Sequence, residues 1–143
     1  MPYWYRDDIA IADIAFEAWG ETCEELFIAS ADATLNVMVE NTENVLESER
    51  FTFDMSAESL ETLLFNFLGE LIFYKDSRQL LLRVSHLTIT SHNSNHSLSA
   101  DVYGEPIDPN RHHMSVDIKA VTLYQLRVEK THDGWEATVV LDV

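Results

Sequence analysis

The sequence predicts an α+β fold, a single domain over 1–143 with a largely antiparallel or mixed β-sheet of about six strands and two α-helices packed on it. Three observations carry that expectation. Residues 13–19 alternate strictly in polarity, with Ile14, Phe16 and Ala18 on one face and Asp13, Ala15 and Glu17 on the other, as in a half-buried strand. Two stretches repeat their apolar residues at helical spacing. From residue 80 onward the pattern is β throughout, and consecutive strands favour antiparallel pairing because a short turn suffices.

Each element has its own local signal. The first strand ends at Gly20, and Thr22 with Glu25 then forms a capping-box pair. Leu26, Ala29, Ala33 and Val37 follow at helical spacing, which predicts a helix over 22–39. Phe51, Phe53 and Met55 alternate again, giving a strand over 48–55. Ser56 is a suitable cap for a second helix with a stripe of Leu60, Leu63, Leu64, Phe67, Leu68 and Leu71, ending near 74–76. That stripe covers more than one face, so this helix is expected at the centre of the core. Asn66 and Glu70, at i and i+4, share its polar strip. Further strands are expected over 80–90, 98–103, 118–130 and 135–143, with turns at 91–97 and at Asp133-Gly134. No linker, repeat or low-complexity segment divides the chain.

Composition narrows the function. A hydrophobic fraction of 46% with 24% charged residues suits a folded domain rather than a disordered one. The net charge of −16, from 25 acidic and 9 basic residues, argues against direct binding to a phosphate backbone. A basic protein partner, a metal cation or a high-salt cytoplasm suits such acidity better. With neither a signal segment nor a membrane-length apolar run, the expectation is a soluble cytoplasmic protein, and a monomer. Nothing matches a Walker loop, a dinucleotide fingerprint, a nucleophile elbow or a zincin helix, and only 4 glycines are present to build a phosphate cradle.

The chemistry-bearing candidates are carboxylates. Along the last strand Trp135, Ala137, Val139, Leu141 and Val143 share one face, and Glu136, Thr138, Val140 and Asp142 share the other. Asp142 thus points away from the main apolar row, as Asp13 does in the first strand, and the carboxylate of Val143 lies one residue on. If the two strands are neighbours, three oxygen groups meet at one sheet edge, a donor set for a hard divalent cation. Ca²⁺ comes first, with Mg²⁺ or Mn²⁺ as alternatives. The plainer outcome is two solvated aspartates that never meet. Lys119 either pairs with a carboxylate and holds register or reaches a partner as a point charge. Glu70 reads by default as a solvated helix residue. The lone cysteine, Cys23, is placed in a first helical turn, where backbone N–H groups can activate a thiol, although a small buried residue is the commoner outcome. The six histidines lack zinc spacing and read as loop polarity.

Several ordered blocks closely resemble the archease family. They are Ala12-Asp13-Ile14, Ala18-Trp19-Gly20, the segment from Thr22 to Leu26, and Leu63-Leu64-Phe65-Asn66-Phe67-Leu68 with Glu70. Gly104-Glu105-Pro106 with Asp108 and His112, Ile118-Lys119-Ala120-Val121-Thr122, and a closing Leu141-Asp142-Val143 complete the set. The resemblance implies a non-enzymatic activator of an RtcB-type RNA ligase, which joins 3′-phosphate or cyclic-phosphate RNA ends to a 5′-hydroxyl in tRNA splicing and RNA repair. It implies that the protein promotes guanylylation of the ligase's own histidine and supports multiple turnover, meeting RNA only through the ligase. It also implies metal binding at Asp13, Asp142 and the carboxylate of Val143, and partner roles for Glu70 and Lys119. Two rival readings are a small metal-dependent hydrolase and an acidic, chaperone-like binding protein. The family's opening Asp-His-Thr-Ala-Asp is here Ile9-Ala10-Ile11-Ala12-Asp13, so its His and Thr are absent, and Gly69 stands where relatives often carry an acid.

Overall fold

A computed structural model describes residues 2–9 and 12–143. The α+β reading holds, with eight strands in two antiparallel sheets and two long helices. In chain order these are β1 (Tyr3–Tyr5), β2 (Ile14–Gly20), α1 (Cys23–Met38), β3 (Glu49–Ala57), α2 (Leu60–Arg78), β4 (Leu80–His92), β5 (Asn95–Pro106), β6 (Ala120–Val121), β7 (Arg127–Lys130) and β8 (Trp135–Asp142). A single turn of 3-10 helix, Thr42–Asn44, precedes β3. The expected single sheet is instead divided. One sheet has the order β1-β2-β8-β6, with β7 also paired to β8, and the other has the order β3-β5-β4.

Each helix packs against both sheets, so one apolar core runs through the molecule. Helix α1 begins as its capping box dictates: Glu25 N–H donates to Thr22 Oγ1 at 3.1 Å, and Thr22 N–H donates back to Glu25 Oε2 at 3.3 Å. Its predicted stripe of Leu26, Ala29, Ala33 and Val37 is buried, and so are Phe27, Ala31, Leu35 and Met38. Helix α1 is therefore buried on more sides than α2, the reverse of the expectation, because small alanines let a sheet approach from either flank. Helix α2 buries Leu63, Leu64, Phe67, Leu68, Leu71 and Ile72 along one stripe, while Phe73 remains 58% exposed.

Four other expectations shift. Strand β3 runs on through Ser56 to Ala57, and Ser59, not Ser56, caps α2, accepting from Thr62 N–H at 3.1 Å. The helix continues past 74–76 to Arg78 and stops at Gln79, which takes a left-handed conformation with φ 55°. The polar segment 91–97 is mostly strand, with Ser91 opposite His96 and His92 opposite Asn95 around a two-residue turn. The long strand expected over 118–130 breaks into β6 and β7 around a turn in which Gln125 has φ 52°. No single parity runs through this stretch, since Ile118 and Val121 are buried while Val116 is exposed.

The Asp133-Gly134 turn is found as expected, closed by Thr131 N–H donating to Gly134 O at 2.7 Å. Cys23 occupies the first turn of α1, yet burial and the neighbouring Glu24 push its thiol up to about 12. Desolvation thus outweighs the helix N-terminus. The native protein at pH 8 is expected to leave a disulfide reagent such as DTNB unreacted over an hour and to react fully in guanidinium. Stoichiometric release within minutes in buffer would contradict that.

Candidate functional site

The antiparallel register of β2 with β8 decides what the two ends of the chain can build. Ile14 stands opposite Leu141 and Ala15 opposite Val140. Asp13 lies in the bend just before the Ile14 row and Asp142 is the last residue of β8, so the register brings both to the same end of the ribbon. On the other side of β8, Ala120 stands opposite Asp142, and Lys119 N–H donates to Asp142 O at 2.8 Å. The fold therefore gathers Asp13, Asp142, Val143 and Lys119 at one end of one sheet. The two faces expected for β8 are not separated by burial: Ala137, Val139 and Leu141 are buried, and so are Thr138 and Val140 on the other side.

Asp13 and Asp142 are both half-buried. Among the described residues neither carboxylate has a hydrogen-bond or ion-pair partner in the protein. Carboxylate oxygens left free at one end of a sheet are the donor type a hard divalent ion takes, so the residues present fit such an ion. Among the described residues no three His, Cys, Asp or Glu side chains group at metal-ligating range. The expected set has only two such side chains, and its third oxygen group is a terminal carboxylate.

Neighbouring segments brace this edge. Asp13 borders a hollow of about 640 Å³ shared with Tyr5, Arg6, Asn36 and Ser115. Arg6 fixes the chain leading into it, donating through Nε and Nη2 to Asp8 at 2.7 and 2.5 Å and through Nη1 to Glu17 at 2.5 Å. The Arg6 hydrogen bond holds the Asp8 carboxyl down to about 2. On the far side, Ser115 N–H donates to Met38 O and Val116 N–H to Val37 O, tying the incoming segment to the end of α1.

Lys119 is exposed and, among the described residues, makes no ion pair, so the expected side-chain pairing is replaced by its backbone bond to Asp142. The lysine that does pair is Lys75, which the sequence reading passed over. It is 4% exposed, and its Nζ reaches Asp117 Oδ1 at 2.5 Å, Asp76 Oδ1 at 2.5 Å and Ile118 O at 3.1 Å. Burial alone would depress its pKa, but the hydrogen bonds to Asp117 and Asp76 more than offset this and raise it. Its position seven residues after Leu68 on the apolar stripe was the available signal. Lys75→Met leaves the Ile118 carbonyl buried without a donor and is expected to cost about 2 kcal/mol, a melting temperature roughly 5 °C lower. Asp76→Asn, at an exposed partner, should shift it by about 1 °C or less. Equal effects of the two changes would contradict this assignment. Glu70 is half-buried on α2 and, among the described residues, bonds to none of the four edge residues.

One motif proves structural. His112 is 3% exposed, against the expectation of loop polarity. Its Nδ1 accepts from Asp108 N–H at 2.8 Å, so the neutral ring carries its proton on Nε2, which lies 3.1 Å from Glu105 Oε2 without the alignment of a full hydrogen bond. The buried Glu105 carboxylate also accepts from Leu46 N–H at 2.5 Å and pairs with Arg111. The Gly104-to-His112 block thus ties the end of β5 and the loop after it to the connection before β3. The Ile9-Ala10-Ile11 departure falls partly on Ala10 and Ile11, outside the described residues. No helix among the described residues is long and apolar enough to cross a membrane.

Comparison with known proteins bears on the family and the fold. The model of the Archease protein family (MTH1598/TM1083) matches residues 3–143. The chain is 36% identical over 133 residues to Protein archease of Pyrococcus abyssi, covering 92% of this chain and 93% of that protein. It is 35% identical over 142 residues to Protein archease of Methanosarcina barkeri, covering 99% and 95%. The solution structure of Methanobacterium thermoautotrophicum protein 1598 superposes with a TM-score of 0.84 at 27% identity, covering 99% of each chain. An archease of Thermotoga maritima, named a possible chaperone, shares the fold at a TM-score of 0.61 and 23% identity, covering 94% and 93%.

Proposed function

The chain belongs to the archease family, and from that premise we propose that it is a non-enzymatic activator of an RtcB-type RNA ligase. It promotes guanylylation of the ligase's own histidine through an acidic tip that holds a divalent cation. Asp13 and Asp142, with the carboxylate of Val143, would hold the ion, Ca²⁺ first among hard cations. The single observation that supports this reading is the β2–β8 register, which brings two half-buried carboxylates, without a side-chain partner among the described residues, to one end of the ribbon. The ion, when bound, supplies positive charge for orienting phosphate oxygens.

The rest falls to the chain's own groups. Lys75 fixes residues 117 and 118, and Lys119 N–H then pins the backbone of Asp142, so the tip is held by α2 as well as by β2. Lys119 at that tip and Glu70 on α2 would offer the partner one charge of each sign. The net charge of −16 steers the protein onto a basic RNA-binding cleft with a salt-dependent on-rate, so RNA is met only through the ligase.

The test is a time course of ligase guanylylation from GTP, with and without a substoichiometric amount of this protein. Acceleration by at least an order of magnitude is expected, and equal rates with several cognate ligase preparations would defeat the proposal. A chaperone reading, suggested by the name given to the Thermotoga maritima relative, rests on bulk charge. It would leave Asp13→Ala as active as the parent. Hydrolysis of nucleotide or RNA by the isolated protein would favour the metal-dependent hydrolase.

A further inference from the structure

The opposite end of the β2–β8 ribbon carries a second feature that the activator reading does not use. From the Ile14–Leu141 row to the Gly20–Trp135 row the ribbon runs roughly 20 Å. At that far end lies a hollow of about 850 Å³, the larger of the two at the ribbon's ends. Trp19 and Trp135 both line it, over a floor of Ile28 and Ala29 from α1. Trp19 pairs with Glu136 and Trp135 with Gly20, and adjacent residues along a strand face opposite ways. The hollow therefore wraps the end of the ribbon and does not lie on one face of it.

Two glycines build the space. A Cβ on Gly20 would sit 2.7 Å from both Glu25 Cβ and Leu26 N, and a Cβ on Gly134, at φ 152°, would meet the Gly20 carbonyl. Without side chains at those positions, the β7–β8 turn lies directly against the β2–α1 connection. The two indoles are left at the edges of that contact, Trp19 being 41% exposed.

The charge of the lining is one-sided. Glu21, Glu25, Asp32, Asp133 and Glu136 contribute carboxylates, and no Lys or Arg lines the hollow. Three of the five are engaged: Glu25 caps α1, Asp32 lies 3.5 Å from Arg83 and Glu136 lies 3.7 Å from Arg127. Glu21 and Asp133 are exposed and, among the described residues, have no side-chain partner. An apolar floor, indole walls and spare negative charge are complementary to a planar cation that sheds its water readily. A guanidinium meets that description better than an ammonium, which is compact and strongly hydrated.

We infer that this hollow is a docking site for an arginine side chain presented by an extended segment of a partner protein. It stands apart from the tip and does not depend on the identity of the ligase.

The experiment uses the full chain with ¹⁵N-labelled tryptophan in about 0.15 M salt, where long-range attraction is screened. The three indole N–H signals are followed during titration with the peptide Gly-Arg-Gly-Arg-Gly, its lysine counterpart, and spermidine. Trp4 serves as an internal reference because its indole N–H is already donated to Glu17 Oε2 at 2.8 Å. The Trp19 and Trp135 signals should shift saturably with the arginine peptide while Trp4 holds still. Affinity should exceed that for the lysine peptide or spermidine by about fivefold or more. Glu21→Gln combined with Asp133→Asn should weaken binding by a similar factor, and Glu43→Gln, outside the hollow, should not. Equal movement of all three indoles, equal response to spermidine, or an unaltered affinity in the double variant would each overturn the assignment. Both substituted positions are exposed, and an unchanged backbone spectrum confirms that the variant is folded.

Discussion

Gly104→Ala is expected to destabilise the protein by about 3–5 kcal/mol, a fall in melting temperature of roughly 10 °C or more. Gly104 lies in β5, opposite Glu49 on one side and Leu82 on the other. A Cβ there would collide with the Leu81 carbonyl oxygen and come within 2.8 Å of the Leu81 carbonyl carbon and 2.9 Å of Leu82 Cδ2. The first two atoms are β4 backbone held in a ladder, so neither can move aside without breaking pairing. The damage should spread, because Ser48 N–H and Oγ both donate to Gly104 O, and Glu105 begins the buried lock with Leu46, Arg111 and His112. Gly69→Ala supplies the control. Nothing lies within 4 Å of a Cβ at that helical position, so alanine should be neutral or stabilise by about 0.5–1 kcal/mol through propensity. A Gly104 variant that melts within 2 °C of the parent would show that the two strands can separate freely at this point.

That result bears on what the sequence could and could not disclose. Local chemistry carried well: the Thr22–Glu25 box and the stripe behind it gave α1 to within a residue at each end, because every group involved lies within one turn. Ser56 misled because its fate is set by a strand about forty residues ahead. Pairing through Ser56–Ser97 and Ala57–His96 prolongs β3 and passes the cap to Ser59. The polar run at 91–97 looked like a loop because its strands form a ribbon tip with few buried positions, where alternation has nothing apolar to reveal it. The break between β6 and β7 depends on Gln125 in the left-handed region, a conformation its composition does not advertise. For the candidate site, face parity placed Asp13 and Asp142 away from the core, but only the long-range register brings them to one end of the ribbon. The roles of Glu70 and Lys119 came from family resemblance and from no spacing. Lys75 was legible in hindsight, as a lysine standing on an apolar stripe.

Asp142→Asn and Asp13→Asn should each reduce divalent-cation affinity at least tenfold and remove most of the ligase activation. Two like charges at one end of the ribbon gain nothing from each other, so removing either should leave apo stability unchanged or raise it by a few tenths of a kcal/mol. Binding then works in the other direction. An ion at a hundred times its Kd stabilises the native state by about 2.7 kcal/mol, and the parent's melting temperature should climb accordingly with Ca²⁺. In either variant that climb should nearly vanish at the same concentration, while the ion-free melting temperature stays at or above the parent's. Extending the chain beyond Val143 removes a terminal carboxylate while keeping Asp142, and should give a smaller loss of the same kind. Glu70→Ala and Lys119→Ala should retain the full Ca²⁺ response and lose activation alone, since neither side chain belongs to the oxygen set. If both aspartate variants keep the parent's Ca²⁺ response, the ion lies elsewhere, and the convergence of β2 and β8 has some other use. If they lose it yet still accelerate guanylylation, the ion is structural, and activation belongs to the surface around Glu70 and Lys119.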